Sequence, residues 1–175
     1  MKIALFGFMG AGKSSLGKAL ANKTGYKFID LDRAIEEKTG KSIHRIFDEE
    51  GEIKFRQLEH EILKEIIKKD YTNIILALGG GSIVQPTNRK LLEIKEFQKI
   101  YLDVNPEVLV ERLMKHKNER PLLTSIEDKT LPEYIKALHL SRKATYEKAA
   151  DIRISIEREN FEQVLEKIYL YLNLN

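Results

Sequence analysis

The stretch "KIALFGFMGAGKSS", residues 2–15, constrains the fold of this chain more than any other. An apolar run ends at Gly7, as expected of a buried parallel strand. The next eight residues, Gly7 to Ser14, fit G-x-x-x-x-G-K-[ST]. Glycines at those positions let successive backbone N–H groups curl around a phosphate. Lys13 reaches the terminal phosphates, and the Ser14 hydroxyl is a ligand for Mg²⁺. From Lys13 the pattern turns helical, with Leu16, Ala19, Leu20 and Lys23 at one-face spacing and Gly25 as the stop. The positive end of that helix faces the same anion. Strand, loop and helix together predict a nucleoside triphosphate with Mg²⁺. Its contacts would be Gly10, Ala11, Gly12, Lys13, Ser14 and Ser15. A purely structural glycine turn leaves the lysine unexplained.

The remaining chain alternates in the same way. "YKFIDLD" (26–32) reads as a second strand, "NIILAL" (73–78) as a third, "KIYLDV" (99–104) as a fourth and "DIRISI" (151–156) as a fifth. Residues 32–69 read as helices broken at Gly40 and Gly51, with Ile62, Leu63, Ile66 and Ile67 on an apolar face. A short helix is expected around Arg89 to Ile94, and another begins at Asn105-Pro106. Residues 116–130 read as a polar, mobile loop, followed by a long helix from about Leu131 to Ala150 and a final one from Asn160. Five strands separated by helices imply an α/β fold, a five-stranded parallel sheet covered on both faces. Ligands of such sheets lie beyond the C-terminal strand ends. Length fits this plan, since 175 residues make one domain, 1–175, with a core of its own.

Composition removes other classes. A net charge of +3, with basic residues spread among acidic ones, gives no footprint for nucleic acid. There is no cysteine, and the four histidines lack metal-ligand spacing. No apolar run reaches the roughly 18 residues of a membrane span. A cytoplasmic enzyme is the expectation.

A phosphate loop does not say where the phosphate goes. Asp30 and Asp32, two apart at the end of a strand, would leave the same face beside the loop. One would hold the metal through water, and the other would accept a hydroxyl proton. The plain alternative is that Asp32 caps the next helix. Arg56 and Glu59 share a helix face, where a surface ion pair is the plain reading. In "LGGGS", Gly79, Gly80 and Gly81 follow a buried strand and let a ligand touch the backbone.

At this point "GFMGAGKSS", "FIDLD", "SIHRIFDEEGEIKFRQLE", "LALGGGSIV", "RPLL" and "SRKATYEKAAD", in that order and spacing, resemble the shikimate kinases over essentially the whole chain. The resemblance implies a P-loop fold similar to nucleoside monophosphate kinases, with a helical substrate-binding insert at about 31–60 and a lid at about 112–125. It implies transfer of the ATP γ-phosphate to the 3-hydroxyl of shikimate, toward chorismate and the aromatic amino acids. By the same resemblance Asp30 stands on the metal side, Asp32 contacts the acceptor hydroxyls, and Arg56, Glu59 and Gly79 to Gly81 bind substrate. Arg120 is the lid arginine, and Arg142 is the second arginine for the carboxylate. Two arginines from separate helices suit a planar carboxylate, through charge-assisted bonds.

One departure stands out. After the last strand the family usually shows a polar turn with a basic residue and often a proline, whereas this chain has "SIERENF". Arg112 and Arg158 are the candidates to stack on the adenine. Two rival readings stay open. One is another small-molecule kinase of this fold, acting on a sugar acid such as gluconate. The other is an ATP-binding module without an acceptor. No apolar stripe demands a partner, so a monomer is expected.

Overall fold

Strand β1 (Lys2–Phe6) has its last four residues buried because it lies in the middle of the sheet. The computed structural model describes residues 1–69, 71–117 and 120–172. The other strands are β2 (Lys27–Asp30), β3 (Ile74–Ala77), β4 (Gln98–Val104) and β5 (Ile152–Ile156), in the order β2-β3-β1-β4-β5. All pairs are parallel, with Ala4 level with Leu76 on one side and Lys99 on the other. β3 is buried at every position and β4 at six of seven, as continuous apolar runs require of a sheet covered on both faces.

Eight helices complete the described residues: α1 (Lys13–Thr24), α2 (Leu31–Thr39), α3 (Ile43–Lys68), α4 (Pro86–Ile94), α5 (Pro106–Lys115), α6 (Pro121–Thr124), α7 (Leu131–Ala149) and α8 (Phe161–Tyr171). A 3₁₀ turn, Ser82–Val84, follows the glycine triplet. Side chains set several helix starts. Ser42 accepts from Arg45 N–H, Asn105 accepts from Glu107 N–H, and Asn160 and Gln163 form a capping box. One apolar cluster runs through both layers. At its centre the rings of Phe6, Tyr101 and Tyr146 pack on one another, 5.2–6.1 Å between centroids. No helix among the described residues is long and apolar enough to cross a membrane.

Several boundaries differ from expectation. The second strand stops at Asp30 and α2 begins at Leu31, so Asp30 and Asp32 are not two positions of one strand face. The cap is Asp30, whose side chain accepts from Arg33 N–H, rather than Asp32. In α1 the buried face is Lys13, Leu16, Gly17, Leu20 and Ala21, while Lys23 is exposed. Gly17 belongs to that face because a Cβ there would lie 2.6 Å from the Phe28 ring. Gly40 ends α2 as expected. Gly51, at φ 79°, only kinks α3, so one element runs through it. The segment expected as a loop at 116–130 contains α6, pinned by the fully buried Leu123. Within the lid range, Asn118 and Glu119 lie outside the described residues.

Candidate active site

β1 delivers the chain into the loop before α1. Gly7 stands at the turn with φ 147°, and a Cβ there would sit 2.6 Å from the Leu102 carbonyl oxygen, so no side chain fits. At the other end Gly12 adopts a left-handed N-cap with no side-chain hydrogen bond. The first N–H groups of α1 are thereby left for an anion. Lys13 is buried, and its Nζ donates to the carbonyls of Gly7 at 3.1 Å and Phe8 at 2.9 Å.

Beside this loop, at the C-terminal end of β3, opens a pocket with ≈ 500 Å³ of space. Asp32, Arg56, Glu59, Gly79 to Gly81, Arg120 and Arg142 all line it. Every candidate for the acceptor site is therefore in one place. Met9, Phe47 and Phe55 supply apolar wall, and sequence reasoning missed all three, because an apolar side chain carries no sign in sequence of facing a pocket. A second cavity, holding Ser14, Ser15 and Asp30, shares Asp32 and Arg120 with the first. These two residues thus mark the junction between the phosphate side and the acceptor side.

The glycine triplet is dictated by space. A Cβ on Gly79 would lie 2.8 Å from Asp32 Oδ1, one on Gly80 3.0 Å from Met9 N, and one on Gly81 2.5 Å from Arg56 Nη2. The backbone of this turn therefore touches the acid, the phosphate loop and the arginine at once. Arg56 is held by Glu59, fully buried, through Nη1 at 3.0 and 3.2 Å, and by the half-exposed Glu52. Across the pocket Tyr146 donates to the Gly80 carbonyl at 2.6 Å, and Arg142 reaches the same oxygen at 3.4 Å.

Electrostatics single out the junction. Burial pulls the Lys13 ammonium down to about 8, opposed by the nearby Asp32 carboxylate. Burial likewise pushes the Asp32 carboxyl up to about 6. Lys13 opposes that rise, and the neighbouring Asp30 and Glu59 charges add to it. A carboxylate near that value is suited to accept a proton at neutral pH. Arg120 Nε is buried with no hydrogen-bond partner among the described residues, which suits an arriving phosphoryl oxygen.

The donors also fit Mg²⁺. Ser14 and Asp30 offer oxygen ligands in one cavity, and no cluster of three metal-binding side chains exists among the described residues. Such a sparse set matches an ion that keeps water and phosphate as most of its shell.

On the far side of the loop a third cavity is lined by Gly10, Ala11, Gly12, Ser15 and Leu16, facing Arg112, Glu159 and Phe161. Arg112 donates to the Gly10 carbonyl at 3.1 Å and so borders this cavity. Arg158 is exposed and does not line this cavity, so the structure does not bring it to the site. Its neighbour Glu159 does, its carboxylate accepting from the N–H groups of Glu157 and Arg158 and pairing with Lys167. Asp103 and Arg89 are structural. Asp103 accepts from Tyr101 and Arg153, and Arg89 donates to the carbonyls of Ile83 and Val84.

Known proteins share this plan. The shikimate kinase family model matches residues 9–173. A curated shikimate kinase from Enterococcus faecalis is 41% identical over 168 residues, 95% of each chain. One from Flavobacterium johnsoniae is 34% identical over 167 residues, 95% of this chain and 96% of its own. Among solved structures, a shikimate kinase from Acinetobacter baumannii in complex with shikimate has a TM-score of 0.88 at 34% identity, covering 98% of this chain and 93% of that one. Another, from Bacteroides thetaiotaomicron, has a TM-score of 0.87 at 34% identity, covering 99% and 98%. With Met9 to Ser14 of the phosphate loop, the glycine turn and both arginines inside the matched region, the chain belongs to the shikimate kinase family.

Proposed function

We propose that this protein transfers the γ-phosphate of ATP to the 3-hydroxyl of shikimate, giving shikimate 3-phosphate and ADP. The observation that carries this reading is the pocket that Arg56 and Arg142 both line beside the glycine turn, with Asp32 and Arg120 shared with the cavity that holds Ser14. The two guanidinium groups hold the acceptor's carboxylate and so fix the ring. Glu59 and the backbone of Gly79 to Gly81 serve the rest of the acceptor. With the ring fixed, one hydroxyl faces the phosphate loop. Asp32 takes the proton of that hydroxyl as its oxygen attacks phosphorus and the bond to ADP breaks. Lys13 and Arg120 neutralise charge on the moving phosphoryl, and lid residues Pro121 and Leu122 close the pocket against water. Ser14, with Asp30 near it, would hold Mg²⁺, which draws charge off the phosphate oxygens. The base would lie against Arg112.

Dependence on ATP suits a cytoplasmic setting. A coupled assay of ADP release tests the reading. Shikimate should start ADP release, and gluconate should not. Equal ADP release with and without shikimate, or release driven by gluconate, would overturn it.

A further inference from the structure

We propose that Ser82, which is buried behind the pocket and does not itself line it, is a positioning residue for the acceptor's carboxylate, acting through Glu59 on Arg56. This rests on the reading that Arg56 binds that carboxylate. Arg56 has two anchors, Glu52 and Glu59. The Glu52 side chain is 51% exposed, where an ion pair is screened and worth little. Glu59 is 0% exposed, so it alone fixes the guanidinium in a dry setting. A buried carboxylate must itself be held, and Arg56 Nη1 bridges its two oxygens without filling their acceptor sites. The other donor to it among the described residues is the Ser82 hydroxyl, 2.5 Å from Glu59 Oε1.

Ser82 is in turn fixed by neighbours that never meet the pocket. Its carbonyl accepts from the side-chain amide of Asn88 at 3.1 Å, and both residues are fully buried. Because Asn88 donates through Nδ2, its Oδ1 accepts, so His60 presents a protonated Nδ1 to it at 2.8 Å. His60 follows Glu59 on α3. The bonds therefore close a circuit from α3 through α4 to the 3₁₀ turn and back to α3, with Arg56 one helical turn before it. Removing the hydroxyl leaves Glu59 Oε1 short of a donor in a place without room to turn. The carboxylate then draws on Arg56 for its missing bond and rotates the edge that faces the acceptor. The loss falls on acceptor binding, because Ser82 lies away from the phosphate loop.

Calorimetric titration of shikimate into Ser82→Ala, Arg56→Ala and the double variant tests this, alongside ATP titrations. Ser82→Ala should raise the shikimate Kd roughly 5- to 20-fold, about one lost hydrogen bond to a charged group. ATP Kd and kcat at saturating shikimate should stay within about twofold. In the Arg56→Ala background the Ser82→Ala change should add nothing, since the group it positions is gone. Ser82→Thr should restore binding. Should Ser82→Ala not be recovered folded, Ser82→Cys, near-isosteric but a weaker donor, carries the same expectation. An unchanged shikimate Kd in Ser82→Ala, with Arg56→Ala strongly impaired, overturns the positioning role alone. Equal losses from Ser82→Ala with and without Arg56 also overturn it, by showing a general structural effect. An Arg56→Ala variant that binds shikimate normally overturns the carboxylate reading itself, and this proposal with it.

Discussion

Lys13 and Asp32 stand close enough for each to feel the other's charge, and burial makes each reluctant to carry charge. For Asp32 the sign of the pH effect follows directly. A base must be deprotonated, so turnover is present above about 6 and is lost as pH falls through that value. The pH profile of kcat/KM for shikimate should therefore show an acidic limb near 6, well above the ordinary carboxylate range. Asp32→Asn should lower kcat much more than it weakens ATP binding, and near-normal turnover in that variant would reduce Asp32 to a pocket wall. Arg120 should behave as a charge delivered to the reacting group. Its change to Ala is expected to lower kcat by roughly 10³-fold or more, with a smaller effect on shikimate KM. A raised KM at unchanged kcat would move Arg120 away from the phosphoryl. Both residues were legible in sequence as candidates, and the fold brings both to the pocket. Their environment was not, because the burial of Asp32 depends on Glu59 and Gly79, which only the fold brings near it.

Among the elements, the turn after β3 does the most for the site, since its three glycines meet three different partners. Substitutions there should separate by partner. In Gly81→Ala the new Cβ meets the guanidinium of Arg56, the mobile end of a side chain, at an ordinary backbone conformation of φ −110°. Thermal stability should change little, while the shikimate Kd rises about tenfold or more and the ATP Kd stays put. Gly80→Ala instead presses on the backbone of Met9 in the phosphate loop. Binding of both ligands should weaken, as paired titrations of the two variants would show. The five strands were legible because each is a short apolar run ended by glycine, acid or proline. What misled was the junction after β2. "FIDLD" alternates like a strand, yet Asp30 prefers to cap α2, and the helix therefore starts one residue before Asp32. The turn Pro121–Thr124 escaped for a different reason, since its polar surroundings hide the one buried anchor, Leu123.

Seen as a whole molecule, the pocket depends on chain segments far apart in sequence. Arg56 on α3 and Arg142 on α7 are 86 positions apart (142 − 56) and meet only because both helices pack around the turn at the end of β3. Each Ala variant should raise the shikimate Kd by roughly 10- to 150-fold, the worth of a hydrogen bond to a charged group, with ATP affinity little changed. A shikimate analogue carrying a neutral amide should bind wild type poorly and be nearly indifferent to either change. Absence of coupling in that cycle would show the two arginines to be misassigned. Arg120 Nε, buried and without a hydrogen-bond partner among the described residues, matters for stability as well as chemistry. On the proposed reading a phosphate anion would give it an acceptor and complete the interior at the lid. A ligand that binds only the folded chain adds to its stability, by about 2.7 kcal/mol at 100 times its Kd. Nucleotide is in that sense part of the packing, and limited proteolysis should be slowed by ATP well before shikimate is added. The lifetime of the protein in a cell would then follow the supply of nucleotide, so that energy starvation lowers its abundance as well as its rate.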